Sequence, residues 1–382
     1  MKNKILARLS DADDFVSGQE LCNEFGVSRT AVWKAVNRLK KEGYNIESVT
    51  NRGYRLRPGS DIMSESEIRR FLKTDTIGNN VIVYDECDST NNRVAQASFE
   101  GAQEGLVIVA YCQTLGRGRR GRSWQSPGGV SVYMSVLLKP AFAPEYAPQV
   151  TLVAALAVSS AIDELVDRRA TEVSPETGVT ETVENLTKTN LTESVKSPTE
   201  TGLTETGESL ACTKAAGESG NPSAIRTRIK WPNDIVMNGR KVCGILTELD
   251  CQMDYINNLV VGIGINVFEE SFPDDIADKA GSIFSVTGLK ISRNQLVVAV
   301  CSYFEKYYNI FLQTCDLTNL VDIYNEKLIN KDREVRVLDP KGEFEGVAKG
   351  ITDEGRLIVE TGEGARYVSS GEVSVRGLYG YV

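Results

Sequence analysis

Residues 113–124 read QTLGRGRRGRSW, and they follow GLVIVAY at 105–111, an apolar run that predicts a buried β-strand. The glycines match G-x-G-x-x-G, and the same letters match G-x-x-x-x-G-R-S, a phosphate loop without its lysine. Both motifs require a helix directly after the loop. Here the next residues, SPGGVSVYMSVLL at 126–138, predict a turn and then a strand. The sequence therefore favours neither a dinucleotide-binding fold nor a P-loop fold.

The loop itself indicates an anion site. Four arginines lie within residues 117–122 and repel one another, while three glycines leave the backbone flexible. Ordering such a loop is costly in isolation and easier around an anion, so we expect it to close over a phosphate or a carboxylate. Trp124 offers an aromatic face for a base or another ring. A basic surface loop that binds nucleic acid, or nothing, is the alternative.

Three further motifs carry polar groups at the ends of predicted strands. IRTRIKWPND at 225–234 ends a strand in a lysine beside a turn, and Asn-Gly at 238–239 predicts a hairpin. LVVGIGINV at 259–267 has glycines at alternate positions, as expected where a ligand approaches the backbone, and Asn266 at its end. DSTN at 88–91 offers either a helix cap or a cluster of hydrogen-bonding groups. Each motif alone also has a purely structural explanation.

The composition bounds the chemistry. The chain has 382 residues and a net charge of −9, is 41% hydrophobic and contains no histidine, so Ser-His-Asp, Cys-His and His-ligated metal sites are excluded. We predict no metal-ligand set. The eight cysteines form no Cys-x-x-Cys pair, no apolar run reaches about 18 residues, and the N-terminus lacks the apolar core of a signal peptide. These features predict a cytoplasmic protein of two or three domains without a membrane partner.

The first 60 residues differ in charge from the rest of the chain. Residues 28–57 carry a net charge of +6. Their pattern predicts three helices, the second after a Ser17–Glu20 capping box, and then a hairpin with basic residues at its tip. This is the pattern of a winged helix-turn-helix at 1–60, with the helix-turn-helix at about 18–37; a helical protein-interaction module is the alternative. The residues predicted to contact DNA are Ser28, Arg29, Thr30, Lys34, Asn37, Arg38 and Arg52.

Residues 171–224 have a composition of their own. They contain twelve threonines and no aromatic residue, carry a net charge of −6, and nearly repeat SPETGVTET as SPTETGLTET. Such a stretch buries too little apolar surface to offset its ordering entropy, so we predict a disordered insertion within one domain. A phosphorylated or partner-binding tail is the alternative. From Arg333 onward, five short strand patterns predict a small SH3-like barrel at 331–382.

Taken together, these motifs resemble the family of bifunctional biotin protein ligases and biotin-operon repressors. The shared residues are VSRTAVWKAV at 27–36, DSTN, QTLGRGRRGRSW, KWPND, GIGINV at 262–267 and the C-terminal module. The resemblance covers nearly all of the chain except 171–224. It implies an α+β multidomain protein in which a biotin/lipoate-ligase-like catalytic domain with a mixed sheet occupies 61–330. One departure is Val130-Ser131, which stands where a Gly/Asn type of turn is expected.

The resemblance implies ATP-dependent biotinylation, with Mg²⁺ present, of a lysine on the biotin carboxyl carrier protein of acetyl-CoA carboxylase or a related enzyme. The intermediate is biotinyl-5′-AMP, and the adenylate-bound chain is expected to dimerise and bind operator DNA. Because a carboxylate nucleophile is already ionised at pH 7, a chain without histidine can perform the first step. The implied biotin and adenylate residues are Ser89, Thr90, Asn91, Gln113, Arg117, Gly118, Arg119 and Lys230; the implied catalytic residues are Lys230 and Arg119; and the implied nucleotide contacts are Trp124 and Asn266.

Three alternatives remain at this stage. A ligase for lipoate or another acyl acid would use a similar core, although the polar residues at 89–91 favour a polar ring. A transcription regulator whose core only senses a ligand is a second possibility, but the arginine loop and Lys230 argue against it. A ligase whose DNA-binding domain has lost its function is the third.

Overall fold

The computed structural model describes most of the chain. The described residues are 1–10, 12, 14–41, 44, 46–50, 52–56, 61, 63–173, 225–340, 342–371 and 373–377. Of the predicted disordered insertion, residues 171–173 form the end of a helix, and 174–224 lie outside the described residues.

Three helices and a hairpin form the N-terminal part, as the sequence predicts. Ser17 accepts a hydrogen bond from the backbone N–H of Glu20 at the start of the second helix, and Gly26, with φ 63°, ends it. The apolar faces of the helices meet in a hydrophobic cluster separate from the main core, so this part has its own core. The elements are α1 (Lys2–Ser10), α2 (Gly18–Phe25), α3 (Arg29–Lys41), β1 (Ile46–Val49) and β2 (Gly53–Leu56).

A seven-stranded mixed sheet forms the centre of the molecule, in the order β3-β4-β5-β9-β8-β7-β6. Only β3 and β4 pair in parallel, and the other neighbours are antiparallel. The strands are β3 (Asn80–Tyr84), β4 (Leu106–Ala110), β5 (Ser131–Leu138), β6 (Thr227–Lys230), β7 (Asp234–Met237), β8 (Arg240–Cys251) and β9 (Ile256–Asn266). The helices are α4 (Glu65–Phe71), α5 (Thr90–Phe99), α6 (Ala147–Val173), α7 (Ile283–Thr287), α8 (Arg293–Thr314) and α9 (Val321–Lys327).

The long helix α6 is the centre of the hydrophobic core. In the described part of the chain, only the helical stretch Pro144–Glu172 is long and apolar enough to cross a membrane, but 83% of its most apolar window is buried inside the protein. The helix packs against α8 and the strands of the central sheet. Its hydrophobicity is therefore explained by burial in the core.

The C-terminal part is a five-stranded antiparallel sheet in the order β13-β12-β11-β10-β14. The five predicted strands are confirmed, but the predicted barrel is not: β13 and β14 are the two edges, and no pairing in the described residues joins them. The buried residues of this sheet belong to the same hydrophobic cluster as the central domain. The strands are β10 (Arg333–Leu338), β11 (Phe344–Ile351), β12 (Leu357–Thr361), β13 (Gly364–Val368) and β14 (Ser374–Gly377).

Candidate functional site

A polar cleft lies between the start of α5, the loop after β4, and strands β8 and β9. Four elements distant in sequence therefore bring the predicted motifs into one place. The predicted site residues that line the cleft are Ser89, Thr90, Asn91, Gln113, Arg117, Gly118, Arg119 and Trp124.

Two predicted residues lie outside the lining of this cleft. Lys230 is buried at the end of β6, three residues before Asn233, which does line it. Asn266 is buried at the end of β9, two residues after the lining residue Gly264, and its amide donates to the carbonyl of Gly281 at 3.0 Å.

The glycine-arginine loop (residues 116–124) folds back on itself. The N–H of Trp124 donates to the carbonyl of Gly116 at 2.9 Å, and the N–H of Gly118 donates to that of Arg122 at 2.7 Å. At the tip, Arg120 adopts a left-handed conformation with φ 59°. The loop contains a 3₁₀ turn at Arg119–Gly121; a turn at 128–129 and then β5 follow it, which confirms the predicted turn and strand in place of a helix.

A network of hydrogen bonds forms the polar wall of the cleft. Gln113 Oε1 accepts from the backbone N–H of Thr90 at 2.8 Å and lies 3.1 Å from the hydroxyl oxygen of the same residue. Behind this pair, the buried hydroxyl of Ser135 lies 2.7 Å from Thr90 Oγ1 and 2.6 Å from Asn91 Oδ1. Ser89 stands at the N-cap of α5 but makes no side-chain capping bond, so capping does not explain its hydroxyl. A satisfied buried network of this kind holds its members in fixed orientations.

Arg117 is paired at the mouth of the cleft. Its guanidinium donates to Glu248 Oε2 at 2.9 Å and to Asn92 Oδ1 at 2.6 Å. The same Glu248 oxygen accepts from the amide of Asn91 at 2.6 Å. Glu248 thus joins the arginine loop to the polar wall.

Trp124 lies against a backbone surface made by two glycines. Gly244 and Gly264 are paired across β8 and β9. A Cβ atom on Gly264 would lie 2.8 Å from the indole, and one on Gly244 would lie 2.9 Å from it. The alternate glycines of β9 therefore do admit a close approach, here of a side chain. Among the described residues, no group accepts a hydrogen bond from the buried Nε1 of Trp124.

Positive charge surrounds Asp234 beside the cleft. Lys241 pairs with Asp234 at 2.6 Å. Burial lowers the pKa of Lys230 to about 8; Asp234 opposes this shift, and the cations Lys241, Arg376 and Arg122 add to it. These cations come from β6, β8, the loop and the C-terminal strand β14, so an anion placed among them would relieve their mutual repulsion.

Arg119 connects the loop to the C-terminal sheet. Its guanidinium donates to Asn233 Oδ1 at 2.8 Å and to the carbonyl groups of Gly371 and Val373. Burial lowers the pKa of Arg119 below its usual value, with Asp234 acting in the opposite direction. The loop is therefore held from two sides, by the central domain and by the C-terminal sheet.

Sequence analysis missed four residues of the site: Asn233, Lys241, Ser135 and Glu248. Asn233 lies within the quoted KWPND motif and could have been included. Lys241 and Glu248 stand on β8, where only the register with β9 shows that they flank the cleft. Ser135 is a polar residue in an otherwise apolar strand and is fully buried, a signal that the sequence alone left unused.

The predicted DNA-contact residues lie on or beside α3 and the hairpin. Ser28 accepts from the N–H of Ala31 and so begins α3, while Gln19 accepts from Arg29 at 2.8 Å. Arg52 lies 4.4 Å from the ring of Phe15. The residues Thr30, Lys34 and Arg38 are exposed, and Asn37 is partly buried.

Sequence analysis also missed Trp33 on this surface. Its side chain is 57% exposed on the same helix as the predicted cations.

Three family models match the chain. The Biotin/lipoate A/B protein ligase family matches residues 84–266, an HTH domain matches residues 2–55, and the Biotin protein ligase C terminal domain matches residues 332–376. The fold and site thus define a protein ligase of the biotin/lipoate type joined to a helix-turn-helix domain.

Known proteins resemble the chain over nearly its whole length. It is 35% identical over 367 residues to the bifunctional ligase/repressor BirA of Bacillus subtilis (strain 168), which covers 95% of this chain and 94% of that protein. It is 25% identical over 375 residues to BirA of Escherichia coli (strain K12), with 98% and 96% covered. The structure of biotin protein ligase from Aquifex aeolicus in complex with biotin and ATP matches with a TM-score of 0.57 and 26% identity, over 78% of this chain and 99% of that one. The chain belongs to the family of bifunctional biotin protein ligases and repressors.

Proposed function

We propose that this chain uses ATP to attach biotin to a lysine of a biotin carboxyl carrier protein, that of acetyl-CoA carboxylase or a related enzyme, and represses transcription in response to biotin. The observation that supports this most is the convergence of eight predicted ligand residues on one cleft. Membership of the ligase and repressor family agrees with both activities.

The polar wall fits the ring of biotin. Ser89, Thr90, Asn91 and Gln113 present hydroxyl and amide groups on one side of the cleft. A cyclic urea has two N–H donors and one carbonyl acceptor, so it can exchange hydrogen bonds with such a wall. A ring without polar groups would leave these groups unpaired, which is unfavourable when they are buried.

The cations beside the wall suit the adenylation step. The biotin carboxylate attacks the α-phosphorus of ATP, which forms biotinyl-5′-AMP and releases pyrophosphate. The carboxylate is ionised at neutral pH, so no general base is needed. The step instead requires cationic side chains beside the phosphoryl oxygens. Lys230 and Arg119 supply this charge, and Arg117 and Gly118 complete the loop over the adenylate. In the second step, the carrier lysine attacks the acyl carbon and AMP leaves.

The nucleotide base is assigned to the side of the cleft near Trp124. Among the described residues, the indole N–H of Trp124 meets no hydrogen-bond acceptor, and Asn266 lies at the end of the neighbouring strand β9. Mg²⁺ is expected with the nucleotide. The described residues contain no group of three His, Cys, Asp or Glu side chains that could hold a metal, so they do not form a magnesium site by themselves, and no step here depends on one.

The repressor activity is assigned to α3 and the hairpin, with operator DNA as the partner. One helix-turn-helix per chain suits a two-fold dimer on a two-part operator, so we expect the adenylate-bound chain to dimerise. DNA and carrier protein as partners place the protein in the cytoplasm, without a membrane partner. For the C-terminal sheet, the return of the last strand to the first and the bulge between Ala348 and Gly350 support SH3-like closure.

ATP–pyrophosphate exchange driven by biotin tests the enzyme, with lipoate and octanoate in parallel. Exchange with biotin alone supports the assignment. Exchange with another acid would keep the mechanism and change the substrate. A folded chain that binds biotin without exchange would be a sensor and not a ligase.

A further inference from the structure

The polar wall of the cleft continues to a carboxylate that family resemblance did not assign. The hydroxyl of Thr90, the hydroxyl of Ser135 and the amide of Asn91 form a continuous chain of contacts at 2.7 and 2.6 Å, and this chain ends on Glu248 Oε2 at 2.6 Å. Ser135 is fully buried, and Thr90 and Asn91 are 4% exposed. Water therefore has little access to the bonds among these three residues, whereas the side chain of Glu248 is 36% exposed.

The chemistry of the groups fixes which atom donates in each bond. A carboxylate only accepts, so Asn91 turns its Nδ2 to Glu248 and its Oδ1 to Ser135. The single proton of Ser135 must then go to Asn91 Oδ1, which has no proton of its own. At the 2.7 Å contact, Thr90 must donate to Ser135, because two lone pairs cannot face each other at this distance; the one Thr90 proton is then not given to Gln113 Oε1, which lies 3.1 Å away. Gln113 Oε1 keeps its bond from the backbone N–H of Thr90 at 2.8 Å.

The direction of these hydrogen bonds determines which donors and acceptors the cleft presents to a ligand. With its proton given to Ser135, the Thr90 hydroxyl presents only lone pairs to the cleft. The neighbouring hydroxyl of Ser89 makes no side-chain capping bond on α5 and can donate. An acceptor beside a donor is the complement of an N–H beside a carbonyl, the arrangement found in a cyclic urea.

We propose that Glu248 is a positioning residue for biotin, which orients Asn91, Ser135 and Thr90 so that the cleft selects a ligand with an N–H facing Thr90. This inference rests on the proposed biotin site. Glu248 has a second contact, its ion pair with Arg117 at 2.9 Å. The two contacts can be separated, because a glutamine at 248 keeps an acceptor for Asn91 and loses the charge opposite Arg117.

The test compares biotin with its two analogues in which one or the other ureido N–H is replaced by oxygen. In the wild type we expect one analogue to lose at least about 100-fold in kcat/KM for biotin-driven pyrophosphate exchange, since its oxygen faces the Thr90 lone pairs. Glu248→Leu releases Asn91, so we expect the KM for biotin to rise, and the preference for biotin to fall, by at least about tenfold each. The kcat should stay within about threefold.

Ser135→Ala interrupts the same chain without touching the carboxylate. We expect the same loss of preference in this variant, so the proposal stays testable even if Glu248→Leu does not fold. Glu248→Gln should keep most of the preference. The matched control is Glu345→Leu, which removes an ion-paired and 48% exposed carboxylate from the C-terminal sheet and should change neither quantity.

Unchanged KM and preference in folded Glu248→Leu and Ser135→Ala would overturn the proposal, and so would a fall in kcat alone. Calorimetric titration with biotin and the two analogues measures the preference without catalysis. If the wild-type chain binds biotin but exchanges no pyrophosphate, the proposed ligase activity is wrong. The binding preference measured by calorimetry still tests the role of Glu248 in that case.

Discussion

At the scale of single residues, Lys230 shows how burial sets the chemistry of the site. The side chain is 6% exposed, and burial lowers its pKa to about 8. Neighbouring cations from three other elements act in the same direction as burial, and Asp234 acts against it. Burial and the neighbouring cations disfavour the charged form of this side chain, so a nearby anion would stabilise it, which suits a group that must meet the phosphates of a nucleotide.

Replacing Lys230 with Ala should lower the turnover of biotin-driven pyrophosphate exchange by about 100-fold or more, because one charge opposite the phosphoryl oxygens is lost. Biotin binding measured by calorimetry should change far less, since the polar wall is intact. Near-normal exchange by this variant would remove Lys230 from the mechanism.

The depressed pKa of Lys230 also predicts the pH dependence of the enzyme. Lys230 is charged below pH 8 and neutral above it, so kcat/KM for ATP should fall about tenfold per pH unit above 8. An arginine at position 230 stays charged throughout this pH range. In the Lys230→Arg variant, kcat/KM for ATP should therefore not fall above pH 8, even if its activity is lower. Rates measured between pH 6.5 and 9.5 check both profiles. A wild-type rate that stays flat to pH 9.5 would contradict the assignment.

At the scale of elements, the pairing of β8 with β9 makes the surface on which Trp124 lies. Gly264→Ala should displace the indole, because the new Cβ would lie 2.8 Å from it. We expect the KM for ATP to rise by about tenfold and the KM for biotin to change by less than about threefold. Gly362→Ala is the matched control, since its Cβ meets nothing within 4 Å. Equal effects of the two variants on KM for ATP would refute this role of β9.

A separate prediction concerns Trp33 on helix α3 and its contribution to DNA binding. The exposed indole has no charge, so Trp33→Ala should weaken binding to operator DNA by about tenfold without changing the salt dependence. Lys34→Ala should lower the slope of log affinity against log salt by about one. Fluorescence anisotropy over a range of salt, with DNA selected from a random pool by the wild type, measures both. A changed slope in Trp33→Ala would mean that the variant disturbs the whole helix.

The elements also show what sequence reasoning could and could not predict. Local signals such as the Ser17 cap and the Asn238–Gly239 turn predicted the helices and the hairpins correctly, and most of the residues in the predicted site motifs line one cleft. Contacts that depend on strand register could not be predicted from the sequence. Glu248 contacts Asn91 only because β8 pairs with β9 in one particular register. Closure of the C-terminal barrel depends on long-range pairing of this kind and remains a prediction.

At the scale of the whole molecule, the C-terminal part contacts residues of the candidate site and of the neighbouring KWPND motif. Arg119 donates to the carbonyl groups of Gly371 and Val373, and the indole of the buried Trp231 donates to the carbonyl of Gly355 at 3.1 Å. Residues of two motifs, QTLGRGRRGRSW and KWPND, thus donate hydrogen bonds to the C-terminal part. The central and C-terminal parts share one core beside the candidate site, whereas the helix-turn-helix has a separate core.

The insertion at 171–224 lies between two elements that are held in place without it. The end of α6 is joined to the start of β6 by an ion pair between Arg226 and Asp167 and by a 2.8 Å bond from the N–H of Thr227 to Asp163. Lys327 of α9 pairs with the same Asp163 at 2.6 Å. Since these contacts fix the geometry on their own, the central domain should fold when the segment is shortened.

We therefore expect a chain in which a short Gly/Ser linker replaces residues 175–223 to keep its exchange activity within about twofold and its unfolding midpoint within a few degrees, because long surface insertions change the loop-closure entropy only slightly. Exchange assays and thermal unfolding check this. The control carries Asp163→Ala in the full-length chain, which removes the anchor and should lower the midpoint. A folded, shortened chain without exchange activity would show that the Thr/Glu segment contributes to the reaction, and a drop in carrier biotinylation alone would assign it to the encounter with the carrier protein.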